Sequence, residues 1–374
     1  MKKKLFHSLS KNDFCKIPGF RFKNQLSYSI SILYLCFKIY NINHMNPIPN
    51  VKELSNTQVG SYCSNGFRNI NYSFSDFSLE EKVLKSNLHV DFSKYSLFEP
   101  RLIRQLFQPH LRTTEYVVIA VLMSELYMSL ALKISQEDLA KSWIKQIKMK
   151  SSPQFAINTL QPISVVRKKF IKLSSHQMES SFEIVIGETI IQLTIAHSNA
   201  KEKNIDDCIF SEAYNVFAYF LQNLDFNFYK TGYKSLEHIF QDIKTEPNLM
   251  ITSAHVRQIT SYNRYLGIGT HFTRTMDIAS FILISSQLIQ VLLYALDQPN
   301  CVETDDLWVR SLEINYPAPM SVDHMKEYVK CRFMKEINYK GQFWRVADMR
   351  ATLGNIQANF DVAYHHDFIN INEN

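Results

Sequence analysis

The sequence predicts an α+β protein built from two tandem copies of one unit, in which an antiparallel sheet wraps around a long apolar helix. Three observations predict this fold. Short sequence matches recur in the same order and at nearly the same spacing. Each copy contains one apolar run of helix length, and strand-like alternation of polar and apolar residues follows that run. Repeats of this kind indicate one structural unit that is present twice.

The first match predicts the first strand of each copy. Residues 66–80 read GFRNINYSFSDFSLE, and residues 232–246 read GYKSLEHIFQDIKTE. The identical pairs in this alignment are Gly66 and Gly232, Phe74 and Phe240, Asp76 and Asp242, and Glu80 and Glu246. A turn with a Gly-aromatic-basic sequence therefore precedes a strand in both copies.

The second match contains the central helices. Residues 110–132 and 271–296 each begin with His, continue through Thr and an acid, and then run apolar for about five turns. A helix that is apolar nearly all round is buried in protein or in lipid. The polar residues Glu125, Gln287 and Gln290 within these helices, and the strands that follow, favour burial in protein. The expected helix caps are Thr113 or Thr114 in the first copy and Thr273 or Thr275 in the second.

The third match predicts further strands. Residues 143–150 (WIKQIKMK) align with residues 308–315 (WVRSLEIN), and both alternate as strands do. Two more strand-like runs close each copy, at 181–186 and 190–197 in the first and at 342–350 and 356–365 in the second. A sheet wrapped around one central helix is the hotdog arrangement, so two pseudo-symmetric copies make a tandem, or double, hotdog.

The repeat sets the expected domain boundaries. They are residues 45–200 for the first hotdog unit, 201–231 for a linker with a helix near Ser211–Leu224, 232–366 for the second hotdog unit, and 367–374 for a polar tail. Residues 1–44 are basic and then apolar, and we expect them to lie outside the fold. The first interpretation is a non-native or disordered extension upstream of a start at Met45. The alternatives are a signal or anchor segment and an ordinary structured extension.

Composition and charge exclude several classes of function. Residues 1–44 carry a net charge of +7 and the whole chain +6, so residues 45–374 carry −1. A nearly neutral body is unlike a surface that binds nucleic acid. The six cysteines are scattered without a CxxC motif, which argues against a zinc site or a disulfide framework and fits a cytoplasmic protein.

Glu125 is the strongest catalytic candidate. It lies within the apolar first helix, and burial raises the pKa of a carboxylate, which makes it suitable as a general base. In the alignment that pairs Thr113 with Thr275, its mate is Gln287, which cannot take a proton, as expected if one half is active and the other degenerate. The alternative is a structural glutamate with a buried partner such as Lys145, Arg310 or Arg167.

His110 and His271 are the other catalytic candidates. Each precedes the amino end of a central helix, where free backbone N–H groups can polarise a thioester carbonyl; the alternative is a loop histidine that bonds to backbone. The residues expected to bind substrate are Gln287, Gln290, Arg310, Arg112, Arg274, Trp143 and Trp308. The glutamines could equally form a seam between the units, and the tryptophans could pack the strand layer. No metal or other cofactor is expected, and the Gly-rich residues 267–269 lack the GxGxxG frame.

These segments resemble the AvrD (avirulence D) family. Its members carry a Gly-aromatic-Arg segment near the start, like residues 66–68, and a Pro-His-Leu lead into an apolar helix, like residues 109–111. Their second half has a Leu-x-x-Leu-Asp turn and a Leu-Trp-Met-Arg strand, similar to residues 293–297 and 307–310 here, although Val309 stands in place of the Met. The resemblance covers about residues 55–366.

The resemblance implies biosynthesis of a small acylated signal of the syringolide type. A condensing enzyme or acyltransferase of this kind joins a 3-oxoacyl thioester to a small sugar such as xylulose, and the γ-butyrolactone synthases of the AfsA type are similar in logic. The implied partners are an acyl-carrier-protein or coenzyme A thioester and the sugar acceptor, without nucleic acid or membrane, and a homodimer is an expected assembly. The alternatives are a hotdog dehydratase or thioesterase, and a non-catalytic acyl-binding protein.

Overall fold

The computed structural model describes residue 68 and residues 70–91, 111–151, 160–175, 177–198, 210–259, 265–272, 274–297, 307–321, 325–339 and 342–365. The predictions for residues 1–44 and for the tail at 367–374 lie outside these residues, as do those for His110 and Thr273.

The first copy consists of strands and helices that follow the predicted order. They are β1 (Asn71–Glu80), β2 (Val83–Asp91), α1 (Thr113–Ala131), α2 (Gln136–Ala140), β3 (Trp143–Lys150), β4 (Leu160–Lys172), β5 (Gln177–Ile186) and β6 (Thr189–Ser198). The long apolar helix α1 therefore lies between a β-hairpin and the remaining strands.

A helix and two short 3-10 turns connect the copies. The helix is α3 (Phe210–Asn223), and the 3-10 turns are Leu224–Phe226 and Gly232–Ser235. The second copy then repeats the order as β7 (Glu237–Glu246), β8 (Ile251–Ile259), α4 (Ile278–Asp297), β9 (Leu307–Asn315), β10 (Met325–Tyr339), β11 (Gln342–Leu353) and β12 (Ile356–His365). Helix α3 packs on the first copy, where the Phe217 ring stacks on Phe77 with centroids 5.2 Å apart.

All of these strands form one antiparallel sheet. Its order is β1-β2-β4-β5-β6-β3-β9-β12-β11-β10-β8-β7. Read outward from the β3–β9 pair, the order is the same in both directions once each strand is replaced by its counterpart in the other copy. The two halves are therefore related by a pseudo-twofold axis, and with α1 and α4 as central helices the chain has the tandem hotdog fold that the sequence predicts.

Irregular backbone positions recur at equivalent places in the repeat. Asp76 and its equivalent Asp242 have left-handed φ values of 54° and 51°, and each lies in a bulge of the first hairpin of its copy. A second bulge interrupts the pairing at Lys145 in β3 and at its equivalent Arg310 in β9. A bulge is a specific local structure, and its repetition at matched positions confirms the duplication.

The seam between the copies is the β3–β9 pair. The register pairs Lys148 with Glu313, and these two residues are also equivalent in the repeat, because the alignment of Trp143 with Trp308 places them opposite each other. A residue that pairs with its own equivalent lies on the pseudo-twofold axis. Lys148 Nζ lies 3.0 Å from a carboxylate oxygen of Glu313, so opposite charges meet on the axis.

The two central helices lie in one hydrophobic core. Helix α1 contacts β4, β5 and β6, α4 contacts β7, β8 and β10, and the two helices contact each other. By length and composition α1 could cross a bilayer, but 89% of its most apolar stretch is buried inside the protein. Both helices are buried within the protein, as the sequence predicts.

Strands β2, β4, β8 and β10 are additions to the predicted strands, and the hairpin strands β2 and β8 share a physical reason. Each is the second strand of a hairpin whose turn carries no glycine signal. The β1–β2 turn consists of Glu81 and Lys82, with φ values of 48° and 65°, and the turn before β8 contains Met250 at 55°. Hairpin turns that need positive φ favour Gly, Asn or Asp, so these residues do not indicate a turn in the sequence.

The predicted caps Thr113, Thr114 and Thr275 are wrong. Helix α1 begins after Arg112, whose backbone N–H donates to Oε2 of Glu115 in the first turn at 3.1 Å. Helix α4 begins after Asp277, and the Thr275 hydroxyl donates instead to a loop carbonyl at 2.8 Å. Carboxylates therefore lie at both amino ends, where the helix dipole favours negative charge.

The observed starts of the two helices also change which residue of the second copy is equivalent to Glu125. Arg112 and Asp277 immediately precede α1 and α4, and the shift that aligns them is the same as the shift that aligns β3 with β9 at their tryptophans. With this alignment Glu125 corresponds to Gln290, and the alignment with Gln287 is displaced by almost one helical turn. Apolar helix sequences align nearly as well when shifted by one turn, because the same face repeats.

Candidate functional site

An open cleft lies where the two copies and the linker meet. About 410 Å³ of space lies between its walls, and part of this space is open solvent. Its walls come from the start of β3, the linker and the loop that precedes α4. The apolar lining is Trp143, Ile144, Phe228, Ile268, Phe272, Met276, Ile278 and Pro319, and the polar side chains are Tyr229, Thr270, Thr275, Asp277 and Tyr316.

Asp277 is the one charged residue among the described residues that line the cleft. Its Oδ1 accepts a hydrogen bond from the backbone N–H of Ser280 at 2.8 Å, and its Oδ2 accepts from the Ser280 hydroxyl at 2.5 Å and from Nε2 of Gln258 at 3.1 Å. This side chain closes the amino end of α4. The Ser280 N–H is therefore not available to a substrate carbonyl.

Glu125 lies directly behind the cleft wall. It is 3% exposed, its Oε1 accepts from the backbone N–H of Ile268 at 2.6 Å, and its Oε2 accepts from Nδ2 of Asn227 at 2.6 Å. Ile268 itself lines the cleft. The Glu125 carboxylate, on the central helix of the first copy, is thus hydrogen-bonded to the linker and to a loop of the second copy. The two partner residues lie 102 and 143 positions further along the sequence.

Two opposing effects determine the pKa of Glu125: burial of the carboxylate, and hydrogen bonds from two neutral donors. Burial raises the pKa of Glu125 to about 7, although the hydrogen bonds from Ile268 and Asn227 lower it. Two of the cations considered as its partners pair elsewhere, because Lys145 forms an ion pair with Glu179 and Arg310 pairs with a strand aspartate. A carboxylate that titrates near neutrality is suited to general-base catalysis.

Gly267 allows the loop to approach Glu125. Its φ is 112°, and a Cβ at this position would lie 2.7 Å from Oε1 of Glu125 and 3.0 Å from Nδ2 of Asn227. Glycine is the residue that tolerates this conformation and this contact. The Gly-rich residues 267–269 thus bring a loop of the second copy into contact with the buried carboxylate.

Asn227 links Glu125 to a tyrosine of the cleft. Its Nδ2 donates to Glu125, and its Oδ1 accepts from the backbone N–H of Tyr229 at 2.8 Å. The Tyr229 side chain lines the cleft and is 4% exposed. Burial raises the pKa of Tyr229 well above its ordinary value, and the negative charges of Asp277 and Glu125 raise it further, so the phenol stays protonated.

Tyr316 supplies a second phenol. It follows β9, and its backbone N–H donates to the Lys145 carbonyl of the first copy at 2.7 Å. Its hydroxyl accepts from the backbone N–H of Met320 at 3.1 Å, and burial raises the pKa of Tyr316 to about 12. This side chain is fixed across the seam and is already hydrogen-bonded.

The structure places His271 and Arg274 outside the described lining of the cleft. His271 is exposed, its backbone N–H donates to the Ala140 carbonyl at 3.1 Å, and its ring lies edge-on to Phe272 with centroids 5.7 Å apart. Phe272 lines the cleft, so His271 lies at its rim. Arg274 is exposed, with a left-handed φ of 66°. Their predicted roles stay predictions.

The remaining predicted residues do not gather at one place. Trp143 lines the cleft, and its indole N–H donates to the Pro317 carbonyl at 3.3 Å. Trp308 packs on a separate small cluster that contains Trp344. Arg310 is on β9, 3.7 Å from the carboxylate of Asp361.

Three further candidates lie on or beside the central helices. Arg112 is half-buried before α1, and Gln287 and Gln290 are half-buried on α4. None of the three is a described lining residue of the cleft. Within the described ranges, no group of three or more His, Cys, Asp or Glu residues could hold a metal ion.

Sequence reasoning missed Asn227, Tyr229 and Tyr316 as site residues. They follow helix α3 or strand β9 in segments without helical or strand periodicity, and their partners are far away in the sequence. The signal that could have found Asn227 and Tyr229 is their place in a linker between copies, since a duplicated fold must position that linker against both halves.

Comparison with known families gives one match that covers most of the chain. The family described as Pseudomonas avirulence D protein (AvrD) matches residues 56–365. No curated protein shows significant similarity in sequence.

Solved structures with some likeness to the chain include hotdog proteins. An acyl-ACP thioesterase from Bacteroides thetaiotaomicron has 11% identity and a TM-score of 0.36, over 76% of this chain and 99% of that one. The 12:0-ACP thioesterase from Umbellularia californica has 7% identity and a TM-score of 0.35, over 75% and 94%. A conserved hypothetical protein of Mycobacterium tuberculosis with a double hotdog fold has 9% identity and a TM-score of 0.33, over 69% and 82%.

Proposed function

The chain belongs to the AvrD family, and on this premise we propose that it is an enzyme that takes the acyl group of an acyl thioester and transfers it to a small hydroxylated acceptor. In its specific form, the thioester is a 3-oxoacyl group on an acyl-carrier protein or coenzyme A, the acceptor is a small sugar, and the product is an acylated signal of the syringolide or butyrolactone type. The observation that carries the proposal is the buried Glu125 carboxylate behind a cleft lined by both copies.

The lining of the cleft suits a substrate with an apolar chain and a polar end. Trp143, Phe228 and Phe272 offer apolar surface for an acyl chain, and Asp277 with Tyr229 offers polar contacts. Ligand sites commonly combine mostly apolar walls with a few placed polar groups. The acceptor hydroxyls would bind near Asp277, whose carboxylate accepts hydrogen bonds.

Glu125 would act as the general base. Both of its oxygens accept hydrogen bonds in the free protein, so one must be released for catalysis. We assign this to Oε1, because its donor Ile268 lies in a loop with glycines on both sides, at φ values of 112° and 80°. A substrate that displaces Ile268 would gain contact with a carboxylate whose pKa is already raised.

The reaction is an acyl transfer without change of oxidation state. Glu125 takes the proton of the acceptor hydroxyl, the oxygen attacks the thioester carbon, and the carbon–sulfur bond breaks. The thiolate leaves and receives the proton from Glu125, so the products are an ester and a free thiol. Ring closure of a 3-oxoacyl ester would follow as a separate step.

Hydrolysis of the thioester is the second candidate. The cleft is open to solvent, so water could take the place of the acceptor hydroxyl with the same base. The two reactions give different products, since hydrolysis releases a free acid and transfer gives an ester of the acceptor.

The test is an assay of the full chain with 3-oxodecanoyl-coenzyme A and xylulose at pH 7. Mass spectrometry identifies the ester, lactone or free acid, and a thiol reagent measures coenzyme A release. The variants are Glu125→Gln and, as a matched control, Glu327→Gln, which alters another buried glutamate that is not a described lining residue of the cleft. We expect an ester from the wild type and from the control, and at least a hundredfold loss in Glu125→Gln.

Each other result changes a defined part of the proposal. A free acid as the sole product would establish hydrolysis in place of transfer. Full activity in Glu125→Gln would remove Glu125 from the mechanism and keep the reaction class. No thiol release by folded wild-type protein, together with binding of the thioester, would refute the enzyme and favour a non-catalytic acyl-binding protein.

A further inference from the structure

The cleft needs a hydrogen-bond donor for a carbonyl oxygen that becomes negative during acyl transfer. Preorganised donors at this position are usually the largest single contribution to such catalysis. In this protein the amino end of α4 does not supply the Ser280 N–H, because the Asp277 carboxylate occupies it at 2.8 Å. A carboxylate also repels a developing oxyanion, so this end of the helix is a poor place for one and a side-chain donor is the better candidate.

The side-chain donors of the cleft can be compared one by one. Trp143 donates to the Pro317 carbonyl at 3.3 Å, Thr270 donates to the Gly267 carbonyl at 2.8 Å, and Thr275 donates to the Phe272 carbonyl at 2.8 Å. These groups already have acceptors in the free protein.

The two tyrosines of the cleft differ in their hydrogen bonds. The Tyr316 hydroxyl accepts from Met320 at 3.1 Å and interacts with the Thr275 hydroxyl. The Tyr229 hydroxyl has no hydrogen-bond partner among the residues that the structure describes, although the side chain is 4% exposed and lines the cleft. The hydroxyl is not among the fully buried polar atoms that lack a partner, so it is accessible from the cleft, where the oxygen of a ligand can replace water as its acceptor.

The position of Tyr229 is fixed by groups on both of its sides. Its backbone N–H donates to Oδ1 of Asn227, its carbonyl accepts from the Tyr72 hydroxyl at 3.2 Å, and its ring lies edge-on to Phe228 with centroids 5.2 Å apart. Asn227 also holds Glu125. One amide thus sets the relative positions of the base and of the phenol.

We propose that Tyr229 is a catalytic residue whose hydroxyl donates a hydrogen bond to the carbonyl oxygen of the bound acyl thioester. The inference rests on the proposed function, because it takes the ligand of the cleft to be an acyl thioester. The linker between the two copies then supplies the oxyanion donor. The raised pKa of Tyr229 agrees with this role, since the phenol remains a donor at neutral pH.

The test compares two stable analogues in binding to the full chain by calorimetry. The first is a coenzyme A ketone in which a methylene replaces the sulfur of decanoyl-coenzyme A, so the carbonyl is kept. The second is S-decyl-coenzyme A, which lacks the carbonyl. We expect the wild type to bind the ketone about tenfold more tightly than the thioether, as one hydrogen bond to a buried donor allows.

The variant Tyr229→Phe should lose this preference and bind the thioether as the wild type does. The matched control Tyr214→Phe, on the exposed side of α3, should keep it. In turnover, Tyr229→Phe should lower kcat about a hundredfold or more and leave KM within a few fold, as removal of an oxyanion donor does.

The outcomes separate this inference from the proposed function. A preference for the ketone that persists in Tyr229→Phe would overturn the role of Tyr229 and leave the acyl thioester as substrate. Binding of neither analogue by the wild type would refute both. If Tyr229→Phe does not fold, the infrared carbonyl stretch of the ketone bound to wild type decides the matter, since an unshifted stretch relative to an apolar solvent would overturn the hydrogen bond.

Discussion

Glu327 makes the stability of the protein depend on pH in a predictable direction. It lies on β10 and is 0% exposed, and its Oε1 accepts a hydrogen bond from the Ser285 hydroxyl at 2.6 Å. Its Oε2 has no hydrogen-bond partner among the described residues. Burial raises the pKa of Glu327 from 4.5 to about 8, although the bond from Ser285 lowers it.

The sign follows from proton linkage. Between pH 4.5 and about 8 the folded state keeps a proton on Glu327 that the unfolded state has released. The contribution of this group to stability is therefore complete below pH 4.5 and is lost as the pH rises to about 8. At about 1.4 kcal/mol per pH unit between the two pKa values, the loss amounts to about 5 kcal/mol as an upper bound.

The assay is urea unfolding of the wild type and of Glu327→Gln at pH 5, 7 and 9. The glutamine keeps the shape and a carbonyl for Ser285, and it cannot ionise. We expect the free energy of unfolding of the variant to gain on that of the wild type by up to about 4 kcal/mol between pH 5 and pH 9, because part of the total is already lost at pH 5. Parallel curves for the two proteins over this range would refute the reasoning, because Glu327 would then ionise equally in both states.

Two further predictions concern the loop that contacts Glu125. Gly267→Ala should lower the free energy of unfolding, measured by urea unfolding, by roughly 2 kcal/mol or more, because it adds backbone strain and crowds the carboxylate. The control Gly269→Ala adds similar strain, but its Cβ would lie 3.8 Å from the nearest atom. An equal loss of stability in both variants would contradict the crowding. The pH dependence of kcat/KM should rise through a pKa of about 7 as Glu125 loses its proton, and a rate that does not change between pH 5.5 and 8.5 would exclude this base.

Much of the fold could be predicted because the sequence contains an internal repeat that alignment of its two halves detects. The apolar helices and the alternating strands around Trp143 and Trp308 recur in order, and periodicity identifies such elements well. Strands β2, β4, β8 and β10 escaped prediction. For β2 and β8 one reason is that Glu81, Lys82 and Met250 adopt positive φ without being turn-forming residues. At the β1–β2 turn, local propensity gives no signal, because tertiary packing imposes the positive φ values.

The site was predictable only in part. Glu125 stands out in the sequence as a lone carboxylate within an apolar helix. Its partners Asn227 and Ile268 do not, because the contacts join residues 102 and 143 positions away through loops that have no periodic pattern. Tyr229 becomes recognisable only when the walls of the cleft and the unused hydroxyl are seen together.

The pair on the pseudo-twofold axis shows what fusion of the two copies permits. In a symmetric dimer of identical chains, a residue on the axis faces itself, so a lysine there would meet a lysine and a glutamate would meet a glutamate. Like charges directly opposite one another destabilise paired strands. Lys148 and Glu313 are equivalent positions that have acquired opposite charge, which identical subunits cannot do. Because the two copies are covalently linked, equivalent positions at the seam do not have to carry the same residue. For the same reason, one half has a glutamate in its central helix where the other has Gln290.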